Sequence, residues 1–384
     1  MTTHIETKHP FDSLSPATYR ASTIVFDKIE DFVTRKSRQP DGYSYGTTGT
    51  PTHRQLEARI AKLSSADHCV LAPSGQAALV AAVLTFASAG DHVLLSEAAY
   101  GGLKSFASEW MHRLGIVVES YPADASAADI EPLIRPSTTM ICLESPGSIT
   151  MEMADVPAIA VVAKARGILT MMDNTWASPL AYKPLLHGVD LVVEAASKFF
   201  SGHSDLLMGS TCTNSFHLYE QLREAQATMG LAVGSDDCFL ALRGLETYEL
   251  RYREQSQNAL QVARWLEAHP AVDQVLFPPL ESDPGHAIWK RDFKGSGCLL
   301  SFVLKPASQK AFAALFESLN VFSIGASWGG THSLIAFYPA ELQRARRKSP
   351  TDGPVLRISV GLEPLDKLIE DLGVALSVFQ FAKE

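Results

Sequence analysis

The chain has 384 residues, 42 acidic against 33 basic, and a formal net charge of −9. That balance argues against a general nucleic-acid or anionic-membrane surface. No apolar run approaches the ~18 residues that a membrane-spanning helix needs. The 46% hydrophobic and 20% charged content is that of a soluble globular protein, long enough for two domains and a substantial core.

The opening stretch MTTHIETKHPFDSLSPATYR lacks the apolar core of a secretory signal, so a cytoplasmic protein is expected. Five cysteines, Cys69, Cys142, Cys212, Cys238 and Cys298, are scattered and odd in number, which predicts free, mostly buried thiols. Residues 1–50 show little periodicity and read as an extended arm ending in DGYSYGTTGTPT (41–52). Thr52 and Gln55 fit a capping box, followed by Leu56, Ile60 and Leu63 on one helical face.

From there apolar runs alternate with helical patterns. HCVLA (68–72), HVLLS (92–96), VVESY (117–121), TMICLES (139–145), GILTMMDN (167–174) and VDLVV (189–193) read as strands. AALVAAVLTFASA (77–89) and AIAVVAKAR (158–166) read as helices between them. Such alternation predicts an α/β domain over 51–236, a mostly parallel sheet covered by helices on both faces, with its site at the carboxyl ends of the strands. A smaller α+β domain is expected over 237–384. It opens with one long helical segment (237–269), continues through the strand GCLLSFVL (297–304), and closes with an amphipathic helix carrying Leu365, Leu368, Ile369, Leu372, Leu376 and Phe379.

Several residues at these strand ends carry chemistry. Lys198, in EAASKFFSGHSD (194–205), follows the buried run VDLVV. Desolvation there lowers an amine's pKa and frees it to form a Schiff base with a carbonyl cofactor. A surface lysine laying its stem on apolar neighbours is the alternative. Asp173 ends the run ILTMMD, where a carboxylate can pair with a pyridinium nitrogen or merely cap a turn. Ser74, Gly75 and Gln76 lie between a strand and a helix start, suited to a phosphate or simply to a turn. Ser197 adds a hydroxyl to the same phosphate site. Tyr100 follows another strand and can stack on a flat ring or fill space. Arg357, amid VLRISVG (355–361), needs an anionic partner, either a substrate carboxylate or a fixed internal acid. The GxGxxG, P-loop and GxSxG patterns are absent, and His203 with Asp205 offers no third metal ligand.

The stretches ASTIVF (21–26), GTPTH (49–53), ESPGSITMEMADVPAI (144–159), MMDNTWASP (171–179), ASKFFSGHSD (196–205), SWGG (327–330) and LRISVGLE (356–363) resemble the Cys/Met-metabolism family of fold-type I pyridoxal-phosphate enzymes. Within it, ESPGSITME and SWGG favour the cystathionine β-lyase branch. The resemblance implies pyridoxal 5'-phosphate as cofactor, held by Lys198, which also shuttles protons. Asp173 would hold the pyridine nitrogen and Tyr100 the ring face, while Ser74, Gly75, Gln76 and Ser197 bind the phosphate. Arg357 would clamp the substrate α-carboxylate with Ser327 and Trp328. Tyr45 would reach both cofactor and substrate from a neighbouring subunit, so a homo-oligomer, a dimer of dimers, is expected. The implied substrate is an amino acid, L-cystathionine, cleaved to homocysteine, pyruvate and ammonia. One position departs from the family: Thr47, in its cofactor-binding motif, stands where an arginine usually follows Tyr-Gly. That loss points also to cystine or another S-substituted cysteine as substrate, or to γ-elimination or γ-replacement.

Overall fold

The computed structural model describes residues 13–339 and 353–381, so residues 1–12 of the expected arm lie outside the described residues. Seven strands form the first sheet: β1 (His68–Ala72), β2 (His92–Ser96), β3 (Val117–Tyr121), β4 (Thr138–Glu144), β5 (Leu169–Asp173), β6 (Leu191–Glu194) and β7 (Gly209–Thr213). Their order is β1-β7-β6-β5-β4-β2-β3. All neighbours are parallel except β7, which runs antiparallel to both β1 and β6.

The strands are continuous apolar runs because both faces are covered. Val93 and Leu95 of β2 pack into one core while Leu94 packs into the other, and Met140 and Cys142 of β4 divide from Ile141 and Leu143 in the same way. All five cysteines are free and buried, as expected. The polar strand β7, GSTCT, has no apolar run to announce it. Its small residues fit a tight place: a Cβ on Gly209 would lie 2.3 Å from the carbonyl oxygen of Ser74.

Five further strands make the second sheet: β8 (Val272–Leu276), β9 (Leu299–Leu304), β10 (Ser323–Ile324), β11 (Leu334–Tyr338) and β12 (Val355–Ser359). The order is β10-β11-β12-β9-β8, antiparallel except for β10 with β11. The closing helix Leu365–Phe381 buries Leu368, Leu372, Leu376 and Phe379, with the Phe379 ring 5.2 Å from that of Phe312. Among the described residues no helix is long and apolar enough to cross a membrane.

Two expectations are corrected. The helix after the arm is Pro51–Ser64, capped by Thr50, whose N–H donates to Nδ1 of His53 at 3.0 Å. Thr52 therefore caps nothing. Its hydroxyl instead donates to Ala17 O and accepts from Tyr19 N–H, pinning the arm. The segment 237–269 is two helices, Ser235–Leu245 and Tyr248–Glu267, because the chain breaks where the loop after β6 packs against it. A Cβ on Gly244 would lie 2.4 Å from the carbonyl oxygen of Phe200.

A buried ion pair joins two of the covering helices. Arg223, on helix Phe216–Met229, donates both terminal nitrogens to the Glu57 carboxylate at 2.9 Å each, and the two side chains are almost fully buried. Arg54 also bonds Glu57, and through Thr48 O (2.5 Å) and Asp41 O (3.1 Å) it ties down segment 41–48. Arg223→Ala leaves the buried Glu57 carboxylate with Arg54 as its remaining cation among the described residues and should destabilise the protein by about 3 kcal/mol, read as a lower urea midpoint. Replacing both partners by apolar residues, Arg223→Met with Glu57→Leu, should recover most of that loss. A single variant with the parental midpoint would show that the pair carries no net stability.

Candidate active site

The carboxyl ends of β4, β5 and β6 lie side by side, and in register Glu144 of β4 faces Asp173 of β5. The loop leaving β6 carries Lys198 and is held by its own backbone: Lys198 N–H donates to Ala195 O (2.9 Å), Ser197 N–H to Met208 O (3.2 Å) and Gly202 N–H to Lys198 O (2.7 Å). Gly202 has φ +69°, and a Cβ there would fall 1.7 Å from Nη1 of Arg251, so glycine is required twice over. Arg251 in turn donates to Phe199 O (3.1 Å) and Gly244 O (2.8 Å), fastening the loop to the helix break.

The Lys198 amine donates to Ser327 Oγ at 2.8 Å and lies 5.5 Å from the centre of the Trp328 ring. Trp328 packs edge-on against Phe199, 5.6 Å between ring centres. The next residue, Gly329, has φ +80° and would place a Cβ 3.2 Å from that of Lys198. SWGG is thus the wall against which the lysine stem rests. Burial lowers the amine's pKa, the Arg357 guanidinium lowers it further, and Asp173 opposes both.

Asp173 is fixed by Thr175, which the sequence reading passed over although it lies within MMDNTWASP. Thr175 gives its N–H (3.0 Å) and hydroxyl (2.5 Å) to Oδ1, and its own oxygen accepts Ala195 N–H at 3.0 Å. Oδ2 has no donor among the described residues. Burial raises the carboxyl's pKa, against the Thr175 bonds and the Lys198 charge.

Arg357, on β12, is 7% exposed and makes no ion pair among the described residues. It donates to Ala326 O (3.0 Å) and Ser148 O (3.4 Å) and lies 5.2 Å from the Tyr338 ring centre. Ser148 and Tyr338, both missed in the sequence, therefore hold a guanidinium that has no carboxylate partner among the described residues. At the helix Gly75–Phe86, Ser74 Oγ accepts Ala77 N–H (3.0 Å), which leaves the N–H groups of Gly75 and Gln76 at the free helix end. A Cβ on Gly75 would lie 2.7 Å from that of Ala195, so this end sits against the start of the lysine loop, beside Ser197. The Tyr100 ring is 45% exposed beside Gln76: a Cβ on Gly102 would touch both. Tyr45, 54% exposed, and Thr47 lie on the 3-10 turn Gly46–Thr48 or beside it. Within one chain no hydrogen bond or ring contact among the described residues joins either to this cluster.

These residues fit a flat phosphorylated aldehyde. The free helix end suits a phosphate, the free Asp173 oxygen a protonated ring nitrogen, the Lys198 amine a carbonyl, and Arg357 a carboxylate.

A lowered amine pKa has a consequence for the cofactor-free protein. Between its folded value and the ordinary 10.5, the unfolded chain binds more protons than the folded one, so stability rises with pH across that window. Cofactor-free Lys198→Met should therefore be more stable than the parent at about pH 7, with the advantage shrinking as pH approaches 10.5. Urea midpoints across that range check it; an advantage independent of pH would rule out the amine as its source.

Nearly the whole chain matches known proteins. Residues 1–377 match the family described as Cys/Met metabolism PLP-dependent enzyme. A putative cystathionine β-lyase of Rhizobium johnstonii is 42% identical over 377 residues, 96% of this chain and 93% of that protein. An L-alanine/L-glutamate racemase of Wolbachia pipientis wMel is 37% identical over 377 residues, 95% of this chain and 93% of the relative. Among solved structures, cystathionine γ-synthase from Xanthomonas oryzae pv. oryzae in complex with cystathionine superposes with a TM-score of 0.88 at 29% identity, covering 96% of this chain and 94% of that one. The chain belongs to the Cys/Met-metabolism family of pyridoxal-phosphate-dependent enzymes, with the fold-type I architecture and with pyridoxal 5'-phosphate as its cofactor.

Proposed function

We propose that this enzyme cleaves the Cβ–S bond of S-substituted L-cysteines by β-elimination, L-cystathionine among them, releasing a thiol, pyruvate and ammonia. The observation that carries the reading is the Lys198 amine, its pKa lowered by burial, acted on by Asp173 and by a guanidinium with no carboxylate partner among the described residues. In this reading residues 51–236 hold the cofactor and residues 237–384 present Arg357.

Bound pyridoxal phosphate supplies an electron sink for the pair left at Cα when its proton is removed. The chain does the rest. Ser74, Gly75, Gln76 and Ser197 bind the phosphate, Tyr100 covers the ring, and Oδ2 of Asp173 holds the ring nitrogen protonated while Thr175 keeps the carboxylate still. Arg357 binds the substrate α-carboxylate, which sets Cα near Lys198. Nζ of Lys198 must be neutral to take the Cα proton, and its lowered pKa supplies that form; Ser327 and Trp328 orient it. The same nitrogen then protonates the departing sulfur, with Tyr100 as a second donor. Water completes the sum: cystathionine and water give homocysteine, pyruvate and ammonia.

The exposed Tyr45 and half-buried Thr47 complete the site of a second copy in a homo-oligomer, a dimer of dimers, working in the cytoplasm. Thr47 supports a second reading. A neutral side chain in place of the usual arginine suits substrates without a distal carboxylate, such as cystine or smaller S-substituted cysteines. The γ-synthase and racemase relatives keep γ-elimination and α-proton exchange among the outcomes to be measured.

Product analysis on the cofactor-loaded enzyme decides. L-Cystathionine should yield pyruvate with homocysteine; 2-oxobutyrate with cysteine would replace β-elimination by γ-elimination. Faster pyruvate release from cystine would favour the second reading, and D-alanine or D-glutamate formed without pyruvate would overturn both. Lys198→Ala should lose about 10²–10⁴-fold in rate, and a variant releasing pyruvate at the parental rate would remove Lys198 from the mechanism.

A further inference from the structure

Glu144 ends β4 after a run of buried apolar residues, Met140, Ile141, Cys142 and Leu143, and it has no part in the roles assigned above. A carboxyl at that edge is unfavourable: burial raises its pKa, and so does the charge of Asp173 on the neighbouring strand. One donor holds it there: Tyr100 N–H donates to Oε2 at 2.6 Å, and the nearby Ser148 side chain also favours the charged form. Tyr100 and Ser148 each belong to a segment that shapes the cleft.

The Tyr100 ring is pressed against Gly102, where a Cβ would lie 2.6 Å from Cε1 of Tyr100 and 2.3 Å from Oε1 of Gln76. Gln76 Nε2 donates to Gly102 O at 3.0 Å. Ring direction is thus set on one side by Gly102 and at the backbone by Glu144. On the other segment, Ser148 N–H donates to Ala98 O (2.9 Å), and Ser148 O receives Nη1 of Arg357 (3.4 Å). The carboxyl that fixes the Tyr100 backbone thus lies beside the segment that aims the guanidinium, and Ala98, two residues before Tyr100, is bonded to that segment directly.

We propose that Glu144 is a positioning residue that clasps Tyr100 and the Ser148–Arg357 contact in one arrangement, so that cofactor ring and substrate carboxylate are set together. This rests on the roles proposed above for Tyr100 and Arg357, but its test needs no C–S cleavage. The alternative is a purely structural cap on the six-residue helix Gly101–Phe106 that Tyr100 begins.

The experiment uses the cofactor-loaded enzyme and its Glu144→Ala, Glu144→Gln and Ser148→Ala variants. Visible circular dichroism reports the ring's asymmetric environment. Spectral titration with glycine, which has an α-carboxylate and no leaving group, reports carboxylate binding. Glu144→Ala should weaken the visible band and raise the glycine Kd about fivefold, the effect of one lost hydrogen bond. Glu144→Gln keeps an acceptor for Tyr100 N–H and should restore the band. Ser148→Ala should raise the glycine Kd and leave the band intact, which keeps the test open should Glu144→Ala fail to fold. Far-ultraviolet spectra and unfolding midpoints should stay parental. Parental band and glycine affinity in Glu144→Ala, or a midpoint that falls with no change in either, would overturn the proposal. If the product assay fails while these shifts appear, the positioning role stands and the assigned reaction falls.

Discussion

Two cations share the cleft, and they cannot both stay charged easily. The buried Arg357 guanidinium bears on the half-buried Lys198 amine, with Asp173 as counter-charge. Guanidinium does not release its proton in a protein's working range, whereas an ammonium does. The conflict is therefore settled at the lysine. In the proposed reaction the arginine would remain an anion receptor and the amine would serve as the base. Burial acts on the amine in the same direction and is the larger cause.

The architecture exists to keep that pair in place. A sheet with two cores delivers Glu144, Asp173 and the β6 loop to one edge, and the second sheet brings Arg357 and SWGG to the same cleft. Fine adjustment comes from polar groups that face no substrate. Thr175 locks the Asp173 carboxylate, and Arg251 stitches the lysine loop to the break between two helices. Arg251 makes these bonds to carbonyls with no carboxylate partner among the described residues, so it acts as a rigid multi-armed donor rather than as half of an ion pair.

Much of this was legible in the residues. The apolar runs at 92–96 and 117–121 coincide with β2 and β3, and Lys198, Asp173 and Arg357 could be singled out because charged groups at strand ends or in strands are conspicuous. Illegible parts share a cause: their signal is tertiary. The strand GSTCT is small and polar because a helix start presses on it, and the helix break after Leu245 answers a loop more than forty positions earlier. Thr50 rather than Thr52 caps its helix because Pro51 begins the first turn and His53 reaches back. Thr175, Ser148 and Tyr338 look ordinary in sequence. Their importance comes from bonds to residues that were already conspicuous.

The arm is held unevenly. Segment 41–48 hangs on Arg54, Tyr219 and the Glu57–Arg223 pair, whereas the helix Ile29–Val33 buries none of its residues. Local opening should follow that gradient. Amide hydrogens near Ile29 would exchange with solvent almost as in a free peptide when a chain stands alone. Those around Thr48 would exchange only when the two covering helices part. The portion bearing Tyr45 and Thr47 is therefore held stiffly within a single chain, whereas Ile29–Val33 is not.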